Sequence, residues 1–286
     1  MKNRDRMKLA IVAFLVGVMI GALACYGYFQ LGNQRETWAY GRERTYDYLM
    51  NSYNPTLGLC YEFNDSNTYW LCHDNVLVSL VLKQWNRTVA DNITETIERL
   101  AREYNLSVTE EGLPLDCKME ALMGYPVDFS KVNDTNRPVL NASYFGSVLK
   151  TEETSKNSSL NFLGFGDMLC YASLVEWRRQ NYSGADYYFE NVTASWDGNG
   201  FRDDAYNATV GYETYKLGLY YFLSKTLGKD FEFKNLLIET VWSCQVDGGG
   251  FKTNYFSKGH PNSNSMTNTE TASIVLLANI PSSVNN

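Results

Sequence analysis

Two hydrophobic patterns alternate along the chain from residue 41 onward. In the first, apolar positions recur at helical spacing on one face. Ile93, Ile97, Leu100, Ala101 and Tyr104 follow one another at offsets of 4, 7, 8 and 11, with Glu95, Glu98, Arg99 and Arg102 opposite. Phe233, Leu236, Leu237, Val241 and Cys244 repeat that stripe, as do Ala185, Tyr188, Phe189 and Val192; Tyr46, Leu49, Met50 and Tyr53 make a shorter version. The second pattern is apolar nearly all round, in 76–82, 168–175, 215–223 and 272–278. A helix without a polar face is one enclosed by other helices. Taken alone, 76–82 reads equally as a buried strand. Its place after an amphipathic segment, shared with the other three, favours a helix.

Each outer segment leads to its inner partner through a loop with turn glycines: Gly58 between Pro55 and Leu59, Gly112 before Leu113 and Pro114, Gly198 and Gly200 before Phe201, and Gly248 to Gly250 before Phe251. Glycine permits a positive-φ turn, and the Leu or Phe after it can tuck back onto the hairpin. The pattern predicts an all-α fold of about four αα-hairpins, roughly 41–85, 93–180, 185–227 and 233–280, an internal repeat of about 45 residues. The second hairpin carries an insertion or lid, 112–160, far longer than an ordinary loop. Within it, 117–123 and 144–149 are candidate short helices.

The run from Gln245 through Asp247 and the three glycines to Phe251, with 236–244 before it and Thr269, Glu270, Thr271 and Ala272 after it, resembles the repeat of protein prenyltransferases and terpene or squalene cyclases. In that family a similar loop joins an outer to an inner helix of an α/α toroid. Asp197 to Phe201 with Tyr212 to Tyr215 looks like a weaker copy. Trp70, Leu71, Cys72, His73, Asp74 and Asn75 are similar to the inner-helix start of six-hairpin glycosidases. The resemblance implies an α/α toroid or, because those families usually close about six hairpins, an open arc. It does not carry their chemistry across. The cyclase D-x-D-D motif is absent, Asp203 and Asp204 being a lone pair, and the prenyltransferase zinc set of D-x-C with a distant His is replaced by adjacent Asp116 and Cys117. No metal or cofactor is expected.

Residues 9–29 carry no charge, and at 1.5 Å per residue they would span about 31 Å as a helix, close to the hydrocarbon thickness of a bilayer. Lys2, Arg4, Arg6 and Lys8 precede them against a single Asp5, so the N-terminus is expected in the cytoplasm and the remainder outside. Ala22 to Ala24 has the form of a cleavage site, but the apolar stretch is longer than a cleaved signal needs, which favours an uncleaved signal anchor. The expected organisation is a tail 1–8, a transmembrane anchor 9–29, a linker 30–40, an extracytoplasmic domain 41–281 and a short end 282–286. Asn-x-Ser/Thr occurs ten times, at Asn64, Asn86, Asn92, Asn105, Asn133, Asn141, Asn157, Asn181, Asn191 and Asn207, where chance predicts about four. That excess suits an exported glycoprotein. Cys25 lies in the apolar segment and five cysteines follow, an odd number, with Cys60 and Cys72 the nearest local pair to test for a bridge.

Charge separates along the same boundary. Four of the 25 basic and one of the 32 acidic residues precede the apolar segment 9–29, so the overall charge of -7 is a basic stub attached to a remainder of net charge -10. An acidic body argues against nucleic acid as a partner. A content of 44% hydrophobic and 14% aromatic residues supports a packed core.

Each inner segment begins with an acid: Asp74, Asp167, Glu213 and Glu270. Equivalent hairpins would set these four at one level around a mouth, where a carboxylate pair can act as general acid and base in glycoside cleavage. The same acids can instead satisfy free N–H groups at helix starts. His73 reads as a proton shuttle or ligand, or as a hydrogen-bonded core histidine. Tyr69, Trp70, Trp196, Phe201, Tyr212, Asp247 and Phe251 lie near loops and inner-helix starts, where aromatic faces suit sugars or peptides, or simply pack. The expectation is an anchored domain that binds a glycan or peptide in an acidic, aromatic-lined mouth. A carbohydrate-active hydrolase or lyase and a non-catalytic surface scaffold are the alternatives.

Overall fold

The computed structural model describes residues 41–63, 66–110, 112–155 and 162–278. The chain divides between Glu43 and Arg44 into two units, and the architecture below is that of the second. In chain order it comprises α1 (ending at residue 52), β1 (Tyr53–Asn54), β2 (Leu59–Cys60), β3 (Thr68–Trp70), a π-helical turn (Leu71–Asn75) continuing into α2 (Val76–Leu82), and α3 (Arg87–Glu103). Then come α4 (Cys117–Met123), β4 (Asn133–Tyr144), β5 (Ser147–Ser155), α5 (Gly166–Arg178) and α6 (Tyr182–Ala194). The rest is β6 (Tyr212–Glu213), α7 (Thr214–Leu227), α8 (Lys234–Ser243), β7 (Asn254–Ser257), β8 (His260–Pro261) and α9 (Thr269–Ala278).

Four helices, α2, α5, α7 and α9, are buried almost all round. They lie side by side, α5 on α7, α7 on α9 and α9 on α2. Gly218 lets α7 approach α9 closely, since a Cβ there would stand 3.1 Å from Ile274 and 3.3 Å from the Val275 backbone. The amphipathic helices pack outside them, α3 on α2, α6 on α5 and α8 on α7. In α3 the stripe residues Ile93, Ile97 and Leu100 are fully buried, each contributing about 1.5–3 kcal/mol from the area removed from water.

The expected all-α architecture, toroid or arc, is not what the chain adopts. Nine helices are accompanied by three small sheets among the described residues: β1–β2, β3–β5–β4 and β6–β7–β8. The largest strands come from the insertion. There 117–123 is a helix, but 144–149 is the tip of the β4–β5 hairpin. Its two-residue turn, Phe145 and Gly146, has φ of 49° and 80°, and two positive-φ residues match the right-handed twist of the strands. No described helix is long and apolar enough to cross a membrane; the proposed anchor, 9–29, lies outside the described residues. Nor does Cys60 bridge Cys72. Both are buried free thiols, as are Cys170 and Cys244.

The two glycine-rich loops share one construction. Trp196 pairs with Phe201, and Gln245 with Phe251, in single antiparallel bridges that close each loop on itself. In the second, the glycines are required by proximity. A Cβ on Gly249 would run into the Arg44 carbonyl, and one on Gly250 would stand 2.6 Å from the Tyr48 ring. Arg44 donates to the Val246 carbonyl (2.6 Å) and Gln245 to the Thr45 hydroxyl (3.0 Å), so the loop clasps α1.

Candidate acid–base site

The starts of the inner helices are drawn together by short extended segments rather than by the helices alone. β5 pairs in parallel with β3, setting Tyr69 opposite Leu149 and Trp70 opposite Lys150, and β3 runs directly into the π turn that carries His73 and Asp74. Asn75 fastens that turn: its amide exchanges hydrogen bonds with both backbone groups of Cys60 (2.6 and 3.0 Å) and donates to the Trp70 carbonyl (2.6 Å). One residue on, the Tyr61 and Glu62 carbonyls accept from the Thr269 hydroxyl and N–H, fixing the start of α9 beside it. β6, paired with β7, delivers Glu213 to the start of α7.

The four inner-helix acids are therefore neighbours, and three bases stand among them. Lys118, from α4, donates to Asp167 Oδ2 at 2.7 Å, and the Tyr215 hydroxyl donates to the same oxygen at 3.0 Å. Lys216 bridges Asp203 (2.5 Å) and Glu213 (2.6 Å). His73 Nε2 lies 2.5 Å from Asp116 Oδ2. Glu270, half-buried, experiences the charges of His73, Lys118, Asp167 and Glu213, and in turn acts on Asp74.

The capping alternative does not account for these acids. The π turn, α5 and α7 have no side-chain cap at their starts, and Asn268 Oδ1 serves α9 through the Thr271 N–H (2.9 Å). At α5 the Gly166 N–H is taken by Asp203 from another segment (2.7 Å). Side chains that do cap their own helices are Asn86, Asp116, Asn181 and Asn268. Asp74 is only 4% exposed, and its Oδ2 has no hydrogen-bond partner.

Their environments set the carboxyls apart. Burial holds Asp74 well above the usual carboxylate range, with the charge of Glu270 adding to it. Burial also raises Glu270, against the partial opposition of His73 and Lys118. For Asp167 burial acts in the same direction, but Lys118 and Lys216 outweigh it and hold the group below its ordinary value. Burial lowers His73, and the charge of Asp116 more than reverses this, to about 9. Lys118 and Lys216 are raised, because Asp167 outweighs the cost of burying each ammonium. At neutral pH the site thus holds fixed ion pairs beside carboxyls that resist ionisation.

The remaining candidates are dispersed. Tyr69 is buried, its hydroxyl accepting from Asn54 (3.1 Å), while Trp70 is half-exposed with Lys150 Nζ 5.1 Å from its ring centre. Trp196 stacks on Phe233 (4.3 Å) and meets the buried Phe201, in an aromatic cluster that lines an open groove of about 530 Å³. Tyr212 bonds Asp197 (2.5 Å); Phe251 is core, against Trp242; Asp247 is exposed beside Arg44. Lys118, Asp203 and Lys216 belong to the site although they were not among the residues expected there, and Tyr215, an aromatic at an inner-helix start, joins it through Asp167. Lys216 had a signal, the one charge within the apolar run 215–223, three residues after Glu213. Of the sequon asparagines, Asn92, Asn105, Asn141, Asn181, Asn191 and Asn207 are exposed and Asn86 is half-buried, while Asn64 and Asn157 lie outside the described residues and Asn133 is in β4. No family model matches the chain, and no curated protein matches it.

Proposed function

We propose that the acid cluster binds a glycan and acts on it by general acid–base chemistry, on a domain held outside the membrane by the 9–29 anchor. The observation that carries this reading is the gathering of four helix-initial acids, with Glu270 raised and Asp167 lowered. A carboxyl raised by burial keeps a proton to give, and a carboxylate ion-paired with a lysine beside it can receive one. Glu270 is the proton donor to the leaving oxygen. Glu213, with 35% of its side chain exposed, is the acceptor, and Lys216 orients it. Asp167, saturated by Lys118 and Tyr215, is the charged floor that holds the two helix starts in place. The half-exposed Trp70 offers a face for a sugar ring.

A covalent thiol mechanism has less support. Burial raises the thiols of Cys60, Cys170 and Cys244, the last to about 11, and a thiol that stays protonated is a poor nucleophile. The test uses the full chain in detergent against a panel of neutral and acidic polysaccharides, following reducing ends for hydrolysis and unsaturated ends for elimination. Glu270→Gln and Glu213→Gln are each expected to lower turnover by about 10²–10⁴ while leaving glycan binding in place. Absence of both binding and turnover across the panel would remove the reading. Binding with no turnover in the wild type would reduce it to a recognition site.

A further inference from the structure

Cys72 Sγ, His73 Nε2 and a carboxylate oxygen of Asp116 all lie within 4.8 Å of one another, two from the π turn and one from the start of α4. Adjacent residues of a regular helix point about 100° apart and seldom share a ligand. A π-helical turn, which is uncommon and concentrated at functional sites, supports both side chains here. Asp116 is 1% exposed. Its Oδ1 accepts from the Met119 N–H (2.8 Å), whereas no donor is aligned on Oδ2. The 2.5 Å approach of His73 to that oxygen is a close ion pair rather than an aligned hydrogen bond. The Asp116 N–H points at Cys72 Sγ (3.1 Å), the kind of outer contact that orients and steadies a ligating sulfur.

We propose that Cys72, His73 and Asp116 bind a divalent zinc-type cation. One sulfur, one imidazole nitrogen and one carboxylate oxygen form a ligand set of intermediate softness, suited to zinc rather than to calcium or magnesium. A thiolate and a carboxylate together carry the charge that a dication neutralises. Around a tetrahedral zinc, with bonds of about 2.0–2.3 Å, donor atoms stand roughly 3.3–3.8 Å apart. The pair at 2.5 Å opens by about 1 Å to admit the ion, and the set keeps its present partners. Three protein ligands leave a fourth position for water or a ligand, and His73, with 14% of its side chain exposed, is the side from which it is reached. The ion fastens the insertion, through α4, to the first inner helix. This inference is independent of the glycan reading, because its measurement is metal content rather than turnover.

The experiment measures metal in the untagged full chain purified without chelators, then replaces it with cobalt. About one zinc per chain is expected, with a thiolate-to-cobalt absorption band that Cys72→Ser abolishes. Asp116→Asn should weaken zinc affinity by at least about tenfold. Cys170→Ser, at a buried cysteine outside the set, should retain both the metal and the band. If the ligand variants fail to fold, the wild type still decides the matter. A metal-free protein whose melting temperature does not respond to zinc overturns the site and leaves His73 and Asp116 as an ion pair alone.

Discussion

Glu270 and Asp167 begin two of the inner helices and are shifted in opposite directions, so their removal should have opposite consequences for stability. Glu270 is raised by burial, which means that its ionised form is less favoured in the folded protein than in the unfolded chain. It withholds stability at neutral pH, and the deficit shrinks as the pH falls and the carboxyl protonates. Glu270→Gln is therefore expected to raise the melting temperature at pH 7 by a few degrees, 1 kcal/mol being worth about 2–4 °C in a domain of this size. The gain should fade toward about pH 4, where the wild-type group is neutral as well. A variant that melts lower at pH 7 would show that the ionised group supports the fold. Asp167 is the converse. Lys118 and Lys216 depress it, so its contribution is complete above about pH 4, the unfolded value, and is lost only as the pH falls through the lower folded value. Asp167→Asn leaves Lys118, with 18% of its side chain exposed, without its counter-charge, and urea unfolding should register a loss of about 3–5 kcal/mol. An acid kept in place against stability is the mark of a functional group; one that the fold depends on marks its support.

At the scale of elements, neighbouring glycines distinguish a turn from a close approach. Gly249 has φ of 86° and faces the Arg44 carbonyl, whereas a Cβ on Gly248 meets nothing within 4 Å. Gly249→Ala should cost more than about 2 kcal/mol and accelerate amide exchange across 44–52, while Gly248→Ala should change stability by less than about 1 kcal/mol. Equal effects would mean that the loop does not clasp α1. Phe145 offers a gain instead, being 85% exposed at a positive φ that Asn tolerates better, so Phe145→Asn should stabilise the hairpin by about 0.5–1 kcal/mol in denaturant titration. These elements also show what could be read in advance. Helix spacing identified both helix types because burial on one face or on all faces leaves its period in the side chains, as Ile93 to Ala101 and 272–278 illustrate. The acids were visible for the same reason, since helix starts are local. The insertion was not legible. Its turn is Phe-Gly rather than Asn-Gly, and β5 pairs with β3 across about 80 residues, a register that no local pattern encodes. Lys118 and Asp116 reach the site only through that pairing and the packing of α4 on α5, so half of the charge network depended on tertiary structure.

At the scale of the whole molecule, export and the buried cysteines bear on each other. A protein outside the membrane meets an oxidising medium in which exposed thiols tend to pair. Here Cys60, Cys170 and Cys244 are at most 2% exposed, and burial raises all three above the ordinary thiol value. Oxidation and exchange need the thiolate and access to it, and burial denies both. Buried thiols are thus compatible with export as long as the fold remains closed. Most sequon asparagines among the described residues lie on the opposite class of surface. Six are exposed, Asn181 among them, although it caps α6 through its oxygen and donates from its nitrogen to Glu176 (2.5 Å). Two measurements on the full chain in sealed vesicles join these facts. Enzymatic removal of N-linked glycans should lower the mass in steps of up to ten, and a membrane-impermeant thiol reagent should leave Cys60, Cys170 and Cys244 unmodified until denaturant is added. No mass change would remove the exported reading, and with it the reason to seek the substrate among external glycans. Rapid labelling in the native state would show instead that the inner helices open on the timescale of the reagent. The glycan site would then need another account, because Asp167 and Cys170 share one helix and what exposes the thiol also loosens the floor of the acid cluster.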